Sequence, residues 1–188
     1  MKKLLTLAVI AITGFMFMSC GSTDTTSAAA QAADLNLPEW VLAGRKDDKG
    51  IYAVGSGKLS NLVNSQKMAI AQGRLELAAT TKTSVQGITQ TLVDDQGAEG
   101  DRQDLEALTE NALLKVDNIL VGSEKVDQYV AKDGTVYVLM FLPKETFLTE
   151  LNKSLAETKA KSFNRTSSAA YTEAKMAEAY EKYFANNN

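Results

Sequence analysis

The stretch Ile51–Ala78, IYAVGSGKLSNLVNSQKMAIAQGRLELA, decides how the rest of the chain is read. It opens with Ile51-Tyr52-Ala53-Val54, a short apolar run of strand type. Gly55-Ser56-Gly57 then predicts a tight turn, and a helix pattern begins near Ser60. Val63, Ile70, Leu77, Ala78, Val85, Ile88 and Leu92 recur at helical spacing, so one stripe faces a core and the helix is expected to reach about Val93. Thr80, Thr81, Thr83 and Ser84 weaken its middle, where a kink or a switch to strand is the alternative.

Upstream, the chain reads as a secreted leader. Met1-Lys2-Lys3 is basic, and Leu4 to Met18 is apolar apart from Thr6, Thr13 and Gly14, a length that suits a signal peptide and is short for a membrane span. Phe17-Met18-Ser19-Cys20 closes it and resembles a bacterial lipobox, although Phe17 stands where leucine is usual. Cys20 is the only cysteine, so no intramolecular disulfide is available and lipidation is the expected use of the thiol. Residues 1–19 are thus expected to be a lipoprotein signal peptide, with palmitate-type acylation at Cys20. Gly21 is not the aspartate that favours inner-membrane retention, so the outer membrane is the expected location. Residues 20–34, after the cysteine, form a small, polar, alanine-rich tether with no large apolar side chain. Its 14 residues from Gly21 to Asp34 reach about 50 Å when extended.

The formal charge of −3 includes Lys2 and Lys3, so the remainder carries −5. That balance argues against nucleic acid as a partner, because the phosphate backbone rewards clustered lysine and arginine. The chain has no histidine, which excludes histidine triads and imidazole metal sites. Gly57-Lys58 fails as a phosphate loop, since Tyr52 and Leu59 occupy positions that need glycine and Ser or Thr. Gly55 and Gly57 also fail as a dinucleotide fingerprint, with Ser60 at the third glycine. The acidic loop Asp94–Asp104, DDQGAEGDRQD, matches no calcium-loop spacing and reads as solvated. No catalytic residue, cofactor or metal site is expected, and the chain reads as a non-enzyme.

Further along, Leu105 to Lys115 predicts a second helix, and Ile119–Ala131 and Thr135–Leu142 predict a hairpin about Asp133-Gly134. A two-residue turn there sets Val130 opposite Tyr137, Val126 opposite Phe141, Tyr129 opposite Val138 and Ala131 opposite Val136. The second strand is apolar on both faces, which predicts a central position with its second face covered by the C-terminal helix or another subunit. Pro143 stops it, and a helix pattern runs from Lys144 to Phe184 with a weak stretch at Asn164–Ser168. Its far half is a candidate arm for a partner. Trp40, the only tryptophan, is expected to close an edge of the core, or to stack on a ligand or interface.

Taken in order, Pro38-Glu39-Trp40-Val41, Tyr52-Ala53-Val54-Gly55-Ser56-Gly57, the series Ala69, Gly73, Arg74, Leu77, Ala78, and Asp133-Gly134-Thr135-Val136-Tyr137-Val138-Leu139 resemble the Lpp-twenty family of bacterial lipoproteins. Gly73 stands where that family prefers alanine. The resemblance covers about Pro38 to Pro143. It implies an α+β module at 35–143, with a small antiparallel three-stranded sheet packed by a long helix and a second helix before the hairpin. Residues 144–188 add a long C-terminal helical extension outside the family pattern. The family includes surface antigens and flagellum-associated outer-membrane lipoproteins that assemble into disks or rings, and it has no established catalytic residues. Expected partners are therefore the lipid bilayer through Cys20, and a second copy or another envelope protein. Trp40, Arg74 and Tyr137 are the candidate interface residues, Arg74 as a snorkelling or salt-bridging group. The alternative is a monomeric periplasmic or surface module for a peptide, glycan or small ligand, with Trp40 and the Gly55–Gly57 turn lining its pocket.

Overall fold

A computed structural model describes residues 36–96, 102–163 and 169–187. Residues Leu35–Asn188 form one compact unit, and Cys20, with the segments expected to be signal peptide and tether, lies outside the described residues. The unit is α+β, in the order α1 (Glu39–Ala43), β1 (Gly50–Gly57), α2 (Leu62–Gln96), α3 (Arg102–Leu114), α4 (Val116–Leu120), β2 (Glu124–Val130), β3 (Val136–Pro143), α5 (Lys144–Lys161) and α6 (Glu173–Asn187). The three strands form one antiparallel sheet ordered β1-β3-β2. A long helix packs on the sheet and the C-terminal region is helical, as the sequence predicts.

The sheet and α2 meet through small residues. Ile51, Ala53, Gly55 and Gly57 pair with Leu142, Met140, Val138 and Val136, and these eight residues form the buried face of β1 and β3. Ser65, Ala69, Gly73 and Leu77 of α2 are buried against them. A Cβ on Gly55 would collide with the Ala69 carbonyl and the Gly73 amide, and one on Gly73 would lie 2.7 Å from Cγ of Met140. The near half of the expected stripe holds only in part. Ile70 is half-buried and packs against the core, whereas Val63 is exposed, because close approach to β1 selects small side chains where apolar periodicity marks large ones. Gly55-Ser56-Gly57 is not a turn but the last three residues of β1, held extended by pairing with β3.

The hydroxyl-rich middle of α2 stays helical. Thr80 and Thr83 donate to the Glu76 and Ala79 carbonyls at 2.9 and 3.1 Å, which satisfies their hydroxyls without leaving the helix. Beyond the sheet, Val85, Ile88 and Leu92 form a spine for α3, α5 and α6, which add Leu105, Leu108, Phe147, Leu151, Leu155, Met176 and Tyr180 to the same core. Asn111 ties α3 to α5 by donating to the Ser154 carbonyl and the Thr158 hydroxyl, both at 3.1 Å. The chain after Lys144 is not one helix or a projecting arm. It turns back, and α6 packs on α2 with Met176, Ala179 and Tyr180 buried. Lys182 bonds Asp95 at 2.7 Å at the far end of α2.

The predicted second strand element begins too early, since Val116–Leu120 is helical and Ile119 is a core residue of α4. The hairpin register is also one residue off. Gly134 donates to the Ala131 carbonyl at 2.9 Å, and Ala131 donates to the Thr135 carbonyl at 2.8 Å. This closes a three-residue loop with Gly134 at φ 85°, a conformation that glycine adopts without steric cost. Val130 therefore faces Val136, Tyr129 faces Tyr137 and Gln128 faces Val138. β3 is central, as its two apolar faces predict. Within this unit it is α1, rather than α6, that packs against β3, and the Tyr129 hydroxyl donates to the Asn36 carbonyl at 3.1 Å.

Two outcomes test this geometry. Gly55→Ala lowers unfolding free energy in chemical denaturation by at least about 1–3 kcal/mol, because backbone atoms of α2 must give way. Asp133 at the hairpin tip is held at about 2 by the Lys58 ammonium and by the Thr135 amide and hydroxyl. Its folded value lies below the ordinary carboxylate one, so its support of the loop is complete above about pH 4 and fades as pH falls towards 2. Carboxyl NMR titration checks this, and Lys58→Ala moves the midpoint up.

Candidate functional site

A groove runs along the outer edge of β1. The Lys144 amide donates to the Lys49 carbonyl at 2.8 Å, one step beyond the Gly50↔Pro143 pair. This makes 49 and 144 a hydrogen-bonded pair. By the period-two alternation of antiparallel ladders, Ile51, Ala53, Gly55 and Gly57 turn their backbone groups towards β3, while Gly50, Tyr52, Val54 and Ser56 turn theirs outward. Gly50 is bridged by Asp47. The amides and carbonyls of Tyr52, Val54 and Ser56 have no partner strand among the described residues.

The groove has two walls. On one side stands the flank of α2, with Gln72, Glu76, Thr80, Thr83 and Ser84. On the other stand Val41 of α1 and the segment from Ala43 to Asp47. At the Gly50 end it deepens to a cavity of about 280 Å3, closed by Tyr183, Phe184 and Asn187 of α6. The Tyr183 ring packs where a Gly87 Cβ would stand, and meets Phe184 edge-on at 5.1 Å. Lys46 Nζ donates to the Asn187 carbonyl at 3.0 Å and fastens the wall to α6.

Polar groups are organised at this mouth. The Asp47 carboxylate accepts from the Lys49 amide, the Tyr52 hydroxyl and Arg45 Nε at 3.0, 3.0 and 3.1 Å. Burial pushes this carboxyl up, but those three donors outweigh it and leave the group below its ordinary value. Burial first, and then the bond to Asp47, raise the Tyr52 phenol. Arg45 lies over the Tyr52 ring at 5.0 Å, and Tyr52 stacks on Phe141 at 4.6 Å. Deeper in, Ser84 is only 2% exposed, lines the cavity and makes no hydrogen bond through its hydroxyl. One turn away the buried Thr81 hydroxyl also lacks a partner. The arrangement offers hydrogen bonding and an apolar pocket, with no paired acid and base.

The sequence-derived candidates scatter. Tyr137 lines the Ser56 end of the groove. Trp40 sits half-buried on α1, outside the groove lining, and Gly55 and Gly57 are packed under α2 rather than beside a ligand. Arg74 is exposed on the opposite flank of α2, in a shallow cleft with Asp117, Leu120 and Val121, and makes no ion pair with a described residue. Cys20 lies outside the described residues, as do residues 97–101 of the acidic loop. Among the described residues no cluster of three acidic, cysteine or histidine side chains could share a metal ion, and no helix is long and apolar enough to cross a membrane. Sequence reasoning missed Arg45, Asp47, Ser84 and Tyr183. Only the Arg45–Asp47 spacing offered a local signal.

No family model matches the chain. No curated protein matches it either.

The unpartnered hydroxyls give a direct expectation. Thr81→Val raises stability by about 1 kcal/mol, since a buried hydroxyl without a partner costs more than the methyl that replaces it. Ser84→Ala is neutral or stabilising in the same denaturation assay.

Proposed function

We propose that this protein is an outer-membrane lipoprotein that serves as a structural and assembly module of the cell envelope, self-associating or docking onto an envelope machine such as the flagellar basal body. The observation that carries this reading is the lone Cys20 closing an apolar leader, followed by a 14-residue tether and then a separate folded unit from Leu35 onward. Acyl chains on one residue contribute about 0.8 kcal/mol per buried methylene, which suffices to hold the unit at a bilayer. The ordered series from Pro38 to Leu139 resembles the Lpp-twenty family and supports the envelope setting. The groove beside β1 supports a docking role over a catalytic one, because it presents backbone and hydroxyl groups without an acid–base pair.

A second reading, a monomeric binding module, is favoured by the 280 Å3 cavity at the Gly50 end of the groove. Solution mass separates the two. Residues 35–188 sediment as a concentration-dependent oligomer, or join a larger envelope assembly, under the first reading, and remain a monomer without partners under the second.

Cys20→Ala tests the anchor. The variant is released from the outer-membrane fraction into the soluble fraction, and the acyl mass increment on the N-terminal peptide disappears. A variant that stays in the membrane fraction overturns the lipoprotein reading.

A further inference from the structure

The two edges of the sheet are built differently. β2 carries Glu124, Lys125 and Asp127, and its pairing breaks at a bulge between Lys125 and Asp127. Charge and a bulge are the usual means of keeping an edge from pairing with another chain. β1 has neither. Its eight residues, GIYAVGSG, are uncharged and contain no proline, and they pair with β3 in unbroken register. The outward amides and carbonyls of Tyr52, Val54 and Ser56 face the groove with no partner strand among the described residues.

We propose that the β1 edge is a strand-addition site, which takes an extended peptide segment of a partner protein as a fourth strand of the sheet. The pairing stretch from Tyr52 to Ser56 spans about 17 Å, and backbone bonds supply affinity while the walls select alternate side chains. One set of peptide side chains faces the hydroxyls of Thr80, Thr83 and Ser84. The other set faces Val41, Val54 and Tyr137. The partner segment therefore alternates small polar with apolar residues, and one side chain enters the cavity at the Gly50 end. Ser84 lines that cavity and offers its hydroxyl to the occupant. A second copy does not fit here, since its β1 edge is recessed between the same walls and two recessed edges do not meet. The bulged, charged β2 edge is no substitute.

This inference rests on the docking reading above but is tested apart from membrane anchoring. The probe is a set of blocked synthetic heptapeptides alternating Ser or Thr with Val or Leu, added to residues 35–188, which hold the whole core. The expected result is at least tenfold slower hydrogen exchange at the Tyr52, Val54 and Ser56 amides on adding a binding peptide. N-methylation of alternate peptide residues abolishes it. Val54→Pro weakens binding at least tenfold while β1 stays paired with β3, because an outward amide is the one a proline on an edge strand can replace. Should Val54→Pro unfold the sheet, Thr83→Trp fills the groove from its exposed wall and gives the same loss. Peptides that bind without protecting those three amides overturn the proposal, as does an absence of binding across the set. Protection of the same amides by concentration-dependent dimerisation, without peptide, also overturns it in favour of a second copy. Loss of membrane release in Cys20→Ala would leave this result untouched.

Discussion

The approach of α2 to β1 across Gly55, Gly57, Ala69 and Gly73 is the constraint on which the structure depends. At these positions backbone lies against backbone, so the helix has one permitted height and direction over the sheet. A 35-residue helix is about 52 Å long, far more than three strands of this length can cover. Its first half is thus committed to the sheet and its second half extends past it. Everything after β1 answers that geometry. α3, α5 and α6 bury the projecting half, and the Phe147, Tyr180 and Phe184 rings, with centroids 5.7 and 4.5 Å apart, close the layer between α5 and α6.

The same approach leaves the outer edge of β1 open. α2 lies over the buried face of the strand, so its flank stands beside the edge without covering it. That flank carries Gln72, Glu76, Thr80, Thr83 and Ser84 rather than large apolar groups. Thr80 and Thr83 return their protons to the helix backbone, whereas Ser84 lines a cavity it shares with Arg45, Asp47, Ile51, Tyr52, Tyr183 and Phe184. Stability and recognition are therefore separated along one helix. Leu77, Val85, Ile88 and Leu92 hold the fold, and the intervening hydroxyls shape the groove.

Helix and strand types were largely legible from periodicity, and so was the central place of β3, because a strand apolar on both faces has few other positions. The failures share a cause. Val63 has the size and spacing of a core residue yet is exposed, because the nearby interface is made of Ala69 and Gly73, which periodicity of large side chains does not mark. The hairpin was read one residue out of register because Asp-Gly suits two loop geometries, and only the hydrogen bonds of Ala131 choose between them. Ile119 was assigned to a strand on composition, whereas packing in the core keeps it in a short helix.

The sequence by itself determined the α+β class, the apolar N-terminal run before a lone cysteine, the absence of histidine chemistry and the order of the main elements, since each depends on local composition and spacing. Tertiary structure alone decided which strand edge stays open, that α6 returns to α2, and that Arg45, Asp47, Ser84 and Tyr183 border one groove. Those residues are separated by up to 138 positions, and only the height of α2 over two glycines brings them together.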